Sequence, residues 1–476
     1  MSEAKEIREA IIAALSSETS SFGKAPQPGR TYVPRTHLKA LKPEANLVVG
    51  ARGVGKSFWT AALYNWALRT ALEPSVDWLR KTKVGIGFAE KKNSESYPET
   101  DTFTALLREK GYTPYEIWRA VVARWAANAL DAREGVPTDT WAVTTDWIRN
   151  NSESFAKCVE RLSAMFRENG RQGLLVFDAL DRTSHDWRSM DEIVKDLLRV
   201  VLWLKGFPAI HAKVFLREDQ YGRTVTNFPD ASKLLATRAE LTWQPHDLHG
   251  LLWQLLCNAP ANHGELLREV YAKICGKEPQ RNAEVWSLTD EAKKDGPVQK
   301  DLFKALAGPW MGKDRRRGVP YVWSVSHLAD CRGQTSPRSF LAAVRTAAEN
   351  SRDKYPEHEY ALHYESIKRG VQEASEIRIA EMAEDYPWVK ELCAPLAGLN
   401  VPCEFAEVGG RWQEIRFPQN SLPPPHAGLG DKGYAEDLKN LGVVEMMRDG
   451  RINMPDLYRV GFGLGRKGGV KPVRRD

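Results

Sequence analysis

Residues 46–57 read NLVVGARGVGKS, and this stretch decides the fold. Three apolar residues lead into a loop, residues 50–57, that matches G-x-x-x-x-G-K-[ST] at every fixed position. The following letters, FWTAALYNWALRTAL, place aromatic and aliphatic side chains at helical spacing. A strand, a glycine loop and a helix in this order predict a loop that wraps the phosphates of a nucleotide.

The chemistry of the loop follows from its residue types. Glycines let the backbone aim several N–H groups at phosphate oxygens, and the helix that follows adds its positive N-terminal end. Lys56 would neutralise the β and γ phosphates, and the Ser57 hydroxyl would ligate Mg²⁺. The residues expected to bind the nucleotide are Gly50, Arg52, Gly53, Val54, Gly55, Lys56, Ser57 and Phe58.

Further strands alternate with helices along the first half of the chain. Apolar runs at 83–89, 173–180 and 212–219 read as strands, and a mostly helical stretch covers about 101–169. This alternation predicts an α/β fold with a mainly parallel sheet and helices on its faces, and the glycine-loop motif makes it a P-loop NTPase. The core would span 46–245 with a helical insert at about 90–169, after an N-terminal helix and connector at 1–45.

Two acidic residues follow the strand in LLVFDALDR, residues 174–182. The strand would deliver Asp178 to the carboxyl edge of the sheet, where a magnesium-bridged phosphate needs a carboxylate. Asp181 could orient or deprotonate the attacking water. The alternatives are that Asp178 caps a helix and that Asp181 is a solvated surface acid.

Two arginines are candidates for contact with phosphate. Arg217 ends the strand KVFLRED and could reach the γ phosphate, or it could form a surface salt bridge to Glu218 or Asp219. Arg338, in GQTSPRSFLAAVRTAA, falls in the first turn of a helix. A cation there opposes the helix dipole, which suggests that Arg338 serves an anion; the alternative is an ordinary exposed arginine.

Beyond residue 245 the strand signal fades. Short amphipathic helices predict an all-helical lid domain over 246–395. The last unit, 396–476, orders helix, strand, Asp449-Gly450 turn, strand and basic tail, and it resembles a winged helix. Its tail could follow a phosphate backbone, or it could be a solvated end. The tail residues in question are Arg466, Lys467, Lys471, Arg474 and Arg475.

Composition limits the remaining function classes. The 476 residues are 42% hydrophobic and 27% charged and contain no long apolar run, so we expect no membrane span. The N-terminus lacks the layout of a secretory signal, which favours a cytoplasmic protein. A formal charge of +6 permits a nucleic-acid partner without requiring one, and basic residues also cluster in KDRRRG, residues 313–318. That run could equally be a simple surface loop.

The combination of GARGVGKS, LLVFDALDR, an arginine-ended strand and SPRSF resembles the AAA+ and STAND branch of P-loop ATPases, including NACHT-type and KAP-type members. The resemblance implies ATP with Mg²⁺, held by Ser57 and Asp178, and ATP hydrolysis. It also implies nucleotide contacts from Arg217 and from Arg338, and Arg238 is a candidate arginine finger. The insert at 90–169 is longer than a minimal core of this family.

Three functional hypotheses follow. The first is a regulatory ATPase of this type, which the resemblance places in bacterial antiviral defence or a mobile element, acting with a separate protein effector or as a homo-oligomer. The second is an adaptor or loader that uses ATP as a clamp and binds duplex DNA through its C-terminal tail. The third is a nucleotide-binding scaffold without turnover.

Overall fold

The computed structural model describes residues 3–15, 26–72, 76–130, 135–184, 187–222, 224–282, 284–417 and 423–472. The chain forms two compact units. The sheet unit comprises Ser20–Pro28 and Val33–Thr242, and the helical unit comprises Met1–Thr19, Gly29–Tyr32 and Trp243–Asp476. The finer four-part division stays a prediction. Within the described ranges, none of the helices combines the length and the apolar character needed to cross a bilayer.

The sheet unit is built on five parallel strands: β1 (Leu47–Gly50), β2 (Thr82–Phe88), β3 (Gln172–Phe177), β4 (Ile210–Arg217) and β5 (Ala239–Glu240). Their order in the sheet is β2-β3-β4-β1-β5. The predicted parallel sheet is confirmed, and the two-residue strand β5 is an addition to the prediction. The strands β3, β4 and β1 are adjacent and parallel, so their carboxyl ends lie side by side at one edge of the sheet.

Helix α1 (Glu3–Ala14) belongs to the helical unit. The sheet unit contains α2 (Arg35–Leu41), α3 (Lys56–Tyr64), α4 (Trp66–Leu72), α5 (Thr100–Arg108), α6 (Pro114–Ala129), α7 (Trp141–Asn150), α8 (Ser152–Glu168), α9 (Trp187–Leu204), α10 (Glu218–Tyr221) and α11 (Ser232–Leu235). The helical unit continues with α12 (Pro245–Cys257), α13 (Asn262–Cys275), α14 (Pro297–Ala307), α15 (Pro320–Ser326), α16 (Pro337–Lys354), α17 (Tyr364–Asp385), α18 (Pro387–Cys393), α19 (Phe405–Trp412), α20 (Asp431–Asn440) and α21 (Asp456–Arg459).

The helical insert is part of the core of the sheet unit. Trp118 of α6 is fully buried, and its ring lies 5.1–6.0 Å from the rings of Phe88, Phe103 and Phe177. Its indole N–H donates to the Ile193 carbonyl oxygen at 2.9 Å, as a buried tryptophan requires. The insert therefore covers one face of the sheet at β2 and β3.

Glycines in the strands make this close packing possible. A Cβ at Gly173 of β3 would lie 2.5 Å from Phe166 and 2.7 Å from Trp125, and one at Gly85 of β2 would lie 2.3 Å from Trp125. These distances are below van der Waals contact, so the two glycines admit the tryptophan against the strands. The insert and the strands are matched in shape.

A buried lysine secures the segment that enters β1. Lys213 of β4 is fully buried, and its Nζ donates to the carbonyl oxygens of Ala40 at 2.7 Å, Lys42 at 3.0 Å and Ala45 at 2.6 Å. Desolvation lowers the pKa of Lys213 to about 7. These bonds satisfy carbonyl groups at the end of α2 and in the turn that leads to the glycine loop.

We expect Lys213→Met to destabilise the sheet unit, because it leaves the carbonyl groups of Ala40 and Ala45 without this donor, while Lys42 keeps a bond from the Ala45 N–H. Each buried polar group left unsatisfied costs roughly 1–3 kcal/mol, so the free energy of unfolding should fall by at least that amount in urea titrations. The matched control is Lys205→Met, which removes an exposed hydrogen bond to the Lys233 carbonyl oxygen. Equal stability of the two variants would contradict this role.

The helical unit is mostly helix, as predicted, and the structure adds a small antiparallel sheet, β6 (Gln280–Asn282) with β7 (Val285–Ser287). Its C-terminal part pairs β8 (Glu445–Met446) with β9 (Ile452–Asn453) in an antiparallel hairpin. Cys403 forms a further bridge to Ile452. The sequence predicts the hairpin and its DG turn, and α18 falls in the stretch predicted as helical, whereas the Cys403 bridge and α19 are additions.

A buried carboxylate anchors this hairpin region. Asp456 accepts a hydrogen bond from Arg459 Nε at 2.6 Å and one from Arg466 Nη1 at 3.2 Å, and its Oδ2 lies 2.6 Å from His327 Nδ1. Burial alone would raise the pKa of Asp456, but the bonds from His327 and Arg459 outweigh it and lower the pKa to about 2. Asp456 thus ties α15 to the C-terminal part of the unit.

The depressed pKa of Asp456 predicts a pH dependence. A carboxyl group whose pKa is lower in the folded state stabilises the fold above its unfolded pKa, and this contribution is lost as the pH falls from about 4 to about 2. We expect Asp456→Asn to lack about 2 kcal/mol of the unfolding free energy at neutral pH. The difference from wild type should vanish near pH 2 in urea unfolding, and the exposed Asp353→Asn serves as the control.

Candidate nucleotide site

The glycine loop has the backbone that its sequence predicts. Gly53 and Gly55 have φ values of 81° and 106°, in the left-handed region that glycine adopts without strain. A Cβ at Gly50 would lie 2.7 Å from the buried side chain of Val54. Helix α3 begins at Lys56, directly after Gly55. The loop therefore turns tightly and presents the N-terminus of a helix, which attracts anions.

Lys56 points back into this loop. Its Nζ donates to the carbonyl oxygens of Gly50 at 2.9 Å and Ala51 at 2.8 Å. Burial, together with the nearby charge of Arg217, lowers the pKa of Lys56 to about 8. A bound phosphate would stabilise the charged form of Lys56 further, because it places negative charge beside the ammonium group.

Asp178 directly follows β3 and lies beside Ser57, the second residue of α3. It is 2% exposed, its backbone N–H donates to the Phe88 carbonyl oxygen at 2.9 Å, and Ser57 hydrogen-bonds to its carboxylate. Burial raises the pKa of Asp178, while the bonds from Ser57 and the Ala179 N–H and the charge of Lys56 oppose that rise. The loop and the strand carboxylate thus meet in one site.

The alternative reading of Asp178 as a helix cap does not hold. The short 3₁₀ turn that follows, Leu180–Arg182, has its N-cap at Ala179 and no side-chain capping bond. Ala179 itself has a φ of 55°, a left-handed conformation that is uncommon outside glycine. The backbone therefore turns sharply after Asp178 and leaves its carboxylate facing Ser57.

The donor set suits a magnesium ion. Ser57 and Asp178 offer a hydroxyl and a carboxylate oxygen, the hard ligands that Mg²⁺ prefers, and they lie within hydrogen-bond distance of each other. Mg²⁺ commonly uses one or two protein oxygens and completes its shell with phosphate and water. These two residues would hold the ion of a Mg²⁺–nucleotide complex.

Arg217 lies between the loop and Asp178. Its backbone pairs in register with Gly50 across β1 and β4, and the residue is only 9% exposed. Its Nε donates to Asp219 Oδ1 at 3.1 Å, and its Nη1 lies 3.6 Å from Asp181 Oδ2. The salt bridge to Asp219 that the sequence allowed does form, but it is partly buried, with side chains 11% and 17% exposed. Arg217 therefore brings a second cation beside Lys56.

Asp181 and Asp219 complete the charge arrangement. Asp181 is partly buried in the 3₁₀ turn and lies close to Arg217, so it is not an isolated surface acid. The sequence offers Asp219 only as a partner for Arg217, not as a site residue. In the structure its Oδ2 is buried and accepts no hydrogen bond from the described residues. Its position two residues after a strand-ending arginine is the signal that places it at the same sheet edge.

The two other arginines have partners of their own. In the helical unit, Arg338 in the first turn of α16 pairs with Glu381 at 2.5 Å, so Glu381 is the anion that this helix start implied. In the sheet unit, Arg238 pairs with Glu240 at 2.5 Å, and its guanidinium lies 4.7 Å from the Tyr221 ring centre. Nucleotide contact by Arg338 stays a prediction, as does the arginine-finger role of Arg238.

The other predicted loop residues flank this arrangement. Val54 is buried beside Gly50, and the Phe58 ring stands edge-on to Trp59 with centroids 5.3 Å apart. Arg52 lies at the turn of the loop and is partly exposed. Phe58 therefore packs in the first turn of α3 against its neighbour Trp59.

No family model and no curated protein matches this sequence. Among solved structures, the chain is similar to the Aeropyrum pernix ORC2 protein in its ADPNP–ADP complexes, with 13% identity, coverage of 87% of this chain and 84% of that chain, and a TM-score of 0.38. It is also similar to the Aeropyrum pernix ORC1 protein in complex with DNA, with 14% identity, coverage of 88% and 86%, and a TM-score of 0.33. These values indicate a distant likeness. The α/β P-loop fold follows from the sheet order and the glycine loop themselves.

The pairing of Ser57 with Asp178 predicts how nucleotide binding depends on the metal. We expect wild-type protein to bind a fluorescent ATP analogue more tightly with excess Mg²⁺ than with EDTA. Asp178→Asn should lose this difference, because the amide cannot supply the negative oxygen ligand. Asp196→Asn, in the same unit but ion-paired with Arg199 on α9, should keep it. Retention of the Mg²⁺ effect in Asp178→Asn would contradict the assignment.

Proposed function

We propose that this protein is a Mg²⁺-dependent ATPase of the AAA+/STAND type that uses bound nucleotide as a switch. One observation supports this most strongly: the hydrogen bond between Ser57 and Asp178 joins the glycine loop to a strand carboxylate, beside Lys56. Loop, metal ligands and cation are the groups that phosphoryl transfer needs. ATP rather than GTP rests on the motif resemblance.

The residues divide the chemistry among them. The loop N–H groups and Lys56 would hold the β and γ phosphates, and Ser57 and Asp178 would hold Mg²⁺, which neutralises charge on the phosphates. Asp181 would orient the attacking water and accept its proton. Catalysis would then come from positioning and from fixed charge rather than from a covalent intermediate.

Arg217 would detect whether a γ phosphate is bound. Its guanidinium is shared between Asp219 at 3.1 Å and Asp181 at 3.6 Å. A γ phosphate would compete with Asp181 for this cation, because Arg–phosphate pairs are strong and directional. Contact with the phosphate would release Asp181 for the water, which couples nucleotide state to the catalytic carboxylate.

The biological setting is part of the same proposal. The motif resemblance favours a regulatory ATPase of bacterial antiviral defence or of a mobile element, located in the cytoplasm. It would act with a separate effector protein or as a homo-oligomer. Arg338 would contact nucleotide from the helical lid, and it would have to exchange Glu381 for a phosphate to do so.

A second candidate is a DNA-binding adaptor or loader that uses ATP as a clamp. It is favoured by the order of elements at the C-terminus: α18, the Cys403 bridge, α19, α20 and the β8–β9 hairpin. This is the order of a winged helix, a unit that commonly binds duplex DNA. The tail contributes less than the sequence suggested, because Arg466 is tied to Asp456, Asn453 and the Met454 carbonyl group.

The tail residues differ in their surroundings. Lys467 and Lys471 are exposed, and the Lys471 carbonyl oxygen accepts a hydrogen bond from Gln372 of α17. Arg474 and Arg475 lie outside the described residues. The described part of the tail is therefore held on the helical unit rather than solvated along its length.

The steady-state ATPase rate tests the proposal. We expect wild-type protein to hydrolyse ATP, Lys56→Ala to lose nucleotide affinity, and Asp181→Asn to bind ATP but to hydrolyse it about 100-fold more slowly, since general-base catalysis contributes roughly 10²–10⁴-fold. Lys205→Ala is the surface control. A folded Lys56→Ala variant with normal ATP affinity would contradict the proposed site.

The same assay with added duplex DNA separates the candidates. Strong stimulation by DNA would favour the loader, and a rate unchanged by DNA would favour a protein trigger. ATP binding without turnover in wild type and in Asp181→Asn alike would favour a scaffold that binds nucleotide and does not hydrolyse it.

A further inference from the structure

The basic run near residue 315 forms a closed loop in the helical unit. We refer to residues 311–318 as the basic loop. The Met311 N–H donates to the Gly318 carbonyl oxygen at 2.9 Å, and Met311 is 2% exposed, so the base of the loop is fixed in the core. Gly312 and Gly318 have φ values of 150° and 96°. Between them, Arg315–Arg317 form a 3₁₀ turn.

The charges of the basic loop are exposed and largely uncompensated. Lys313, Arg315, Arg316 and Arg317 face a single acidic residue of the loop, Asp314. Asp314 accepts a bond from the Arg316 N–H at 2.9 Å and pairs with its guanidinium at 3.0 Å. Across the described ranges, no acidic side chain forms an ion pair with Arg315 or Arg317. These two guanidinium groups are available to an external anion.

The shape of the turn indicates what kind of anion fits. Successive side chains of a 3₁₀ turn leave the axis about 120° apart, so Arg315 and Arg317 diverge instead of converging on one small anion. Divergent arginines suit an extended polyanion whose charges lie side by side. Arginine also forms paired hydrogen bonds with phosphate, which lysine cannot do.

The basic loop is fixed relative to the C-terminal hairpin. Helix α15 starts two residues after the loop, and the ring of Trp323 within it lies against His327 with centroids 4.1 Å apart and a tilt of 32°. His327 in turn contacts Asp456, next to the hairpin. These contacts through α15 hold the basic loop and the hairpin region at a fixed spacing within the helical unit.

We propose that the basic loop, through Arg315 and Arg317, binds the phosphate backbone of duplex nucleic acid as a second contact beside the C-terminal hairpin. This inference rests on the DNA-binding candidate for the identity of the polyanion. The basic loop would orient the protein on the duplex and would not read the bases, because phosphate contacts position a protein and carry no sequence information.

Salt-dependent binding of a fluorescein-labelled mixed-sequence duplex tests the inference. The full-length chain is compared with Arg315→Ala/Arg317→Ala by anisotropy over a series of KCl concentrations. Each lost phosphate contact lowers the slope of log K against log salt by about 0.9, so we expect the slope to fall by about 1.8 for two contacts. Arg315→Lys/Arg317→Lys should retain the slope, since it keeps the charges.

The control is Arg167→Ala/Arg171→Ala, which removes two exposed arginines from the sheet unit. This variant should keep the wild-type slope, and all variants should keep the basal ATPase rate. An equal slope loss in control and loop variants would overturn the inference, as would no duplex binding by wild type at low salt. A loop variant that loses binding of a polyglutamate peptide but not of duplex would also overturn it, in favour of an acidic protein partner.

A hairpin variant distinguishes failure of the DNA-binding candidate from failure of the basic-loop contact. Arg448→Ala/Arg451→Ala changes the turn between β8 and β9. If this variant weakens duplex binding while the loop variant does not, the DNA-binding candidate stands and the basic loop is not its second contact. If the loop variant alone reduces the slope, the loop is the contact and the winged-helix reading of the hairpin loses its support.

Discussion

The hydrogen-bonded ladder between β1 and β4 is the constraint on which the candidate site depends. It sets Gly50 beside Arg217 and leaves β3 on the far side of β4, so that the glycine loop, the arginine and Asp178 share one sheet edge. Parallel pairing makes this possible, because all carboxyl ends then point the same way. Lys213 of β4 holds the segment that leads into β1 through hydrogen bonds to the carbonyl oxygens of Ala40 and Ala45.

The electrostatics at this edge are compatible with a bound phosphate. Lys56 and Arg217 are two cations in a poorly solvated place, and burial depresses the pKa of Lys56 to about 8. Asp178 shows the opposite response, since burial raises its pKa. Both shifts mark groups that an oppositely charged ligand would stabilise, which is a property of functional sites. A Mg²⁺–nucleotide complex supplies both kinds of charge, the phosphates for Lys56 and the metal for Asp178.

In the helical unit, by contrast, one buried carboxylate binds several basic side chains of the same unit. Asp456 holds Arg459 and Arg466 and contacts His327, so Arg466, which the sequence places in a basic tail, helps to build the fold. The basic loop at 311–318 is the converse case, because its Arg315 and Arg317 are exposed and lack such a partner among the described residues. Charge runs that look alike in sequence therefore have different roles in the structure.

The sequence by itself determined the glycine loop, the four main strands, the helical character of the insert and the C-terminal hairpin, because each depends on local pattern and turn chemistry. Asp178 was predictable because it directly follows an apolar strand. Only the tertiary structure decided that Asp181 lies beside Arg217, that Arg338 pairs with Glu381 and that Arg466 is anchored by Asp456. Side-chain partners depend on which elements pack together, and local residue preference does not encode that.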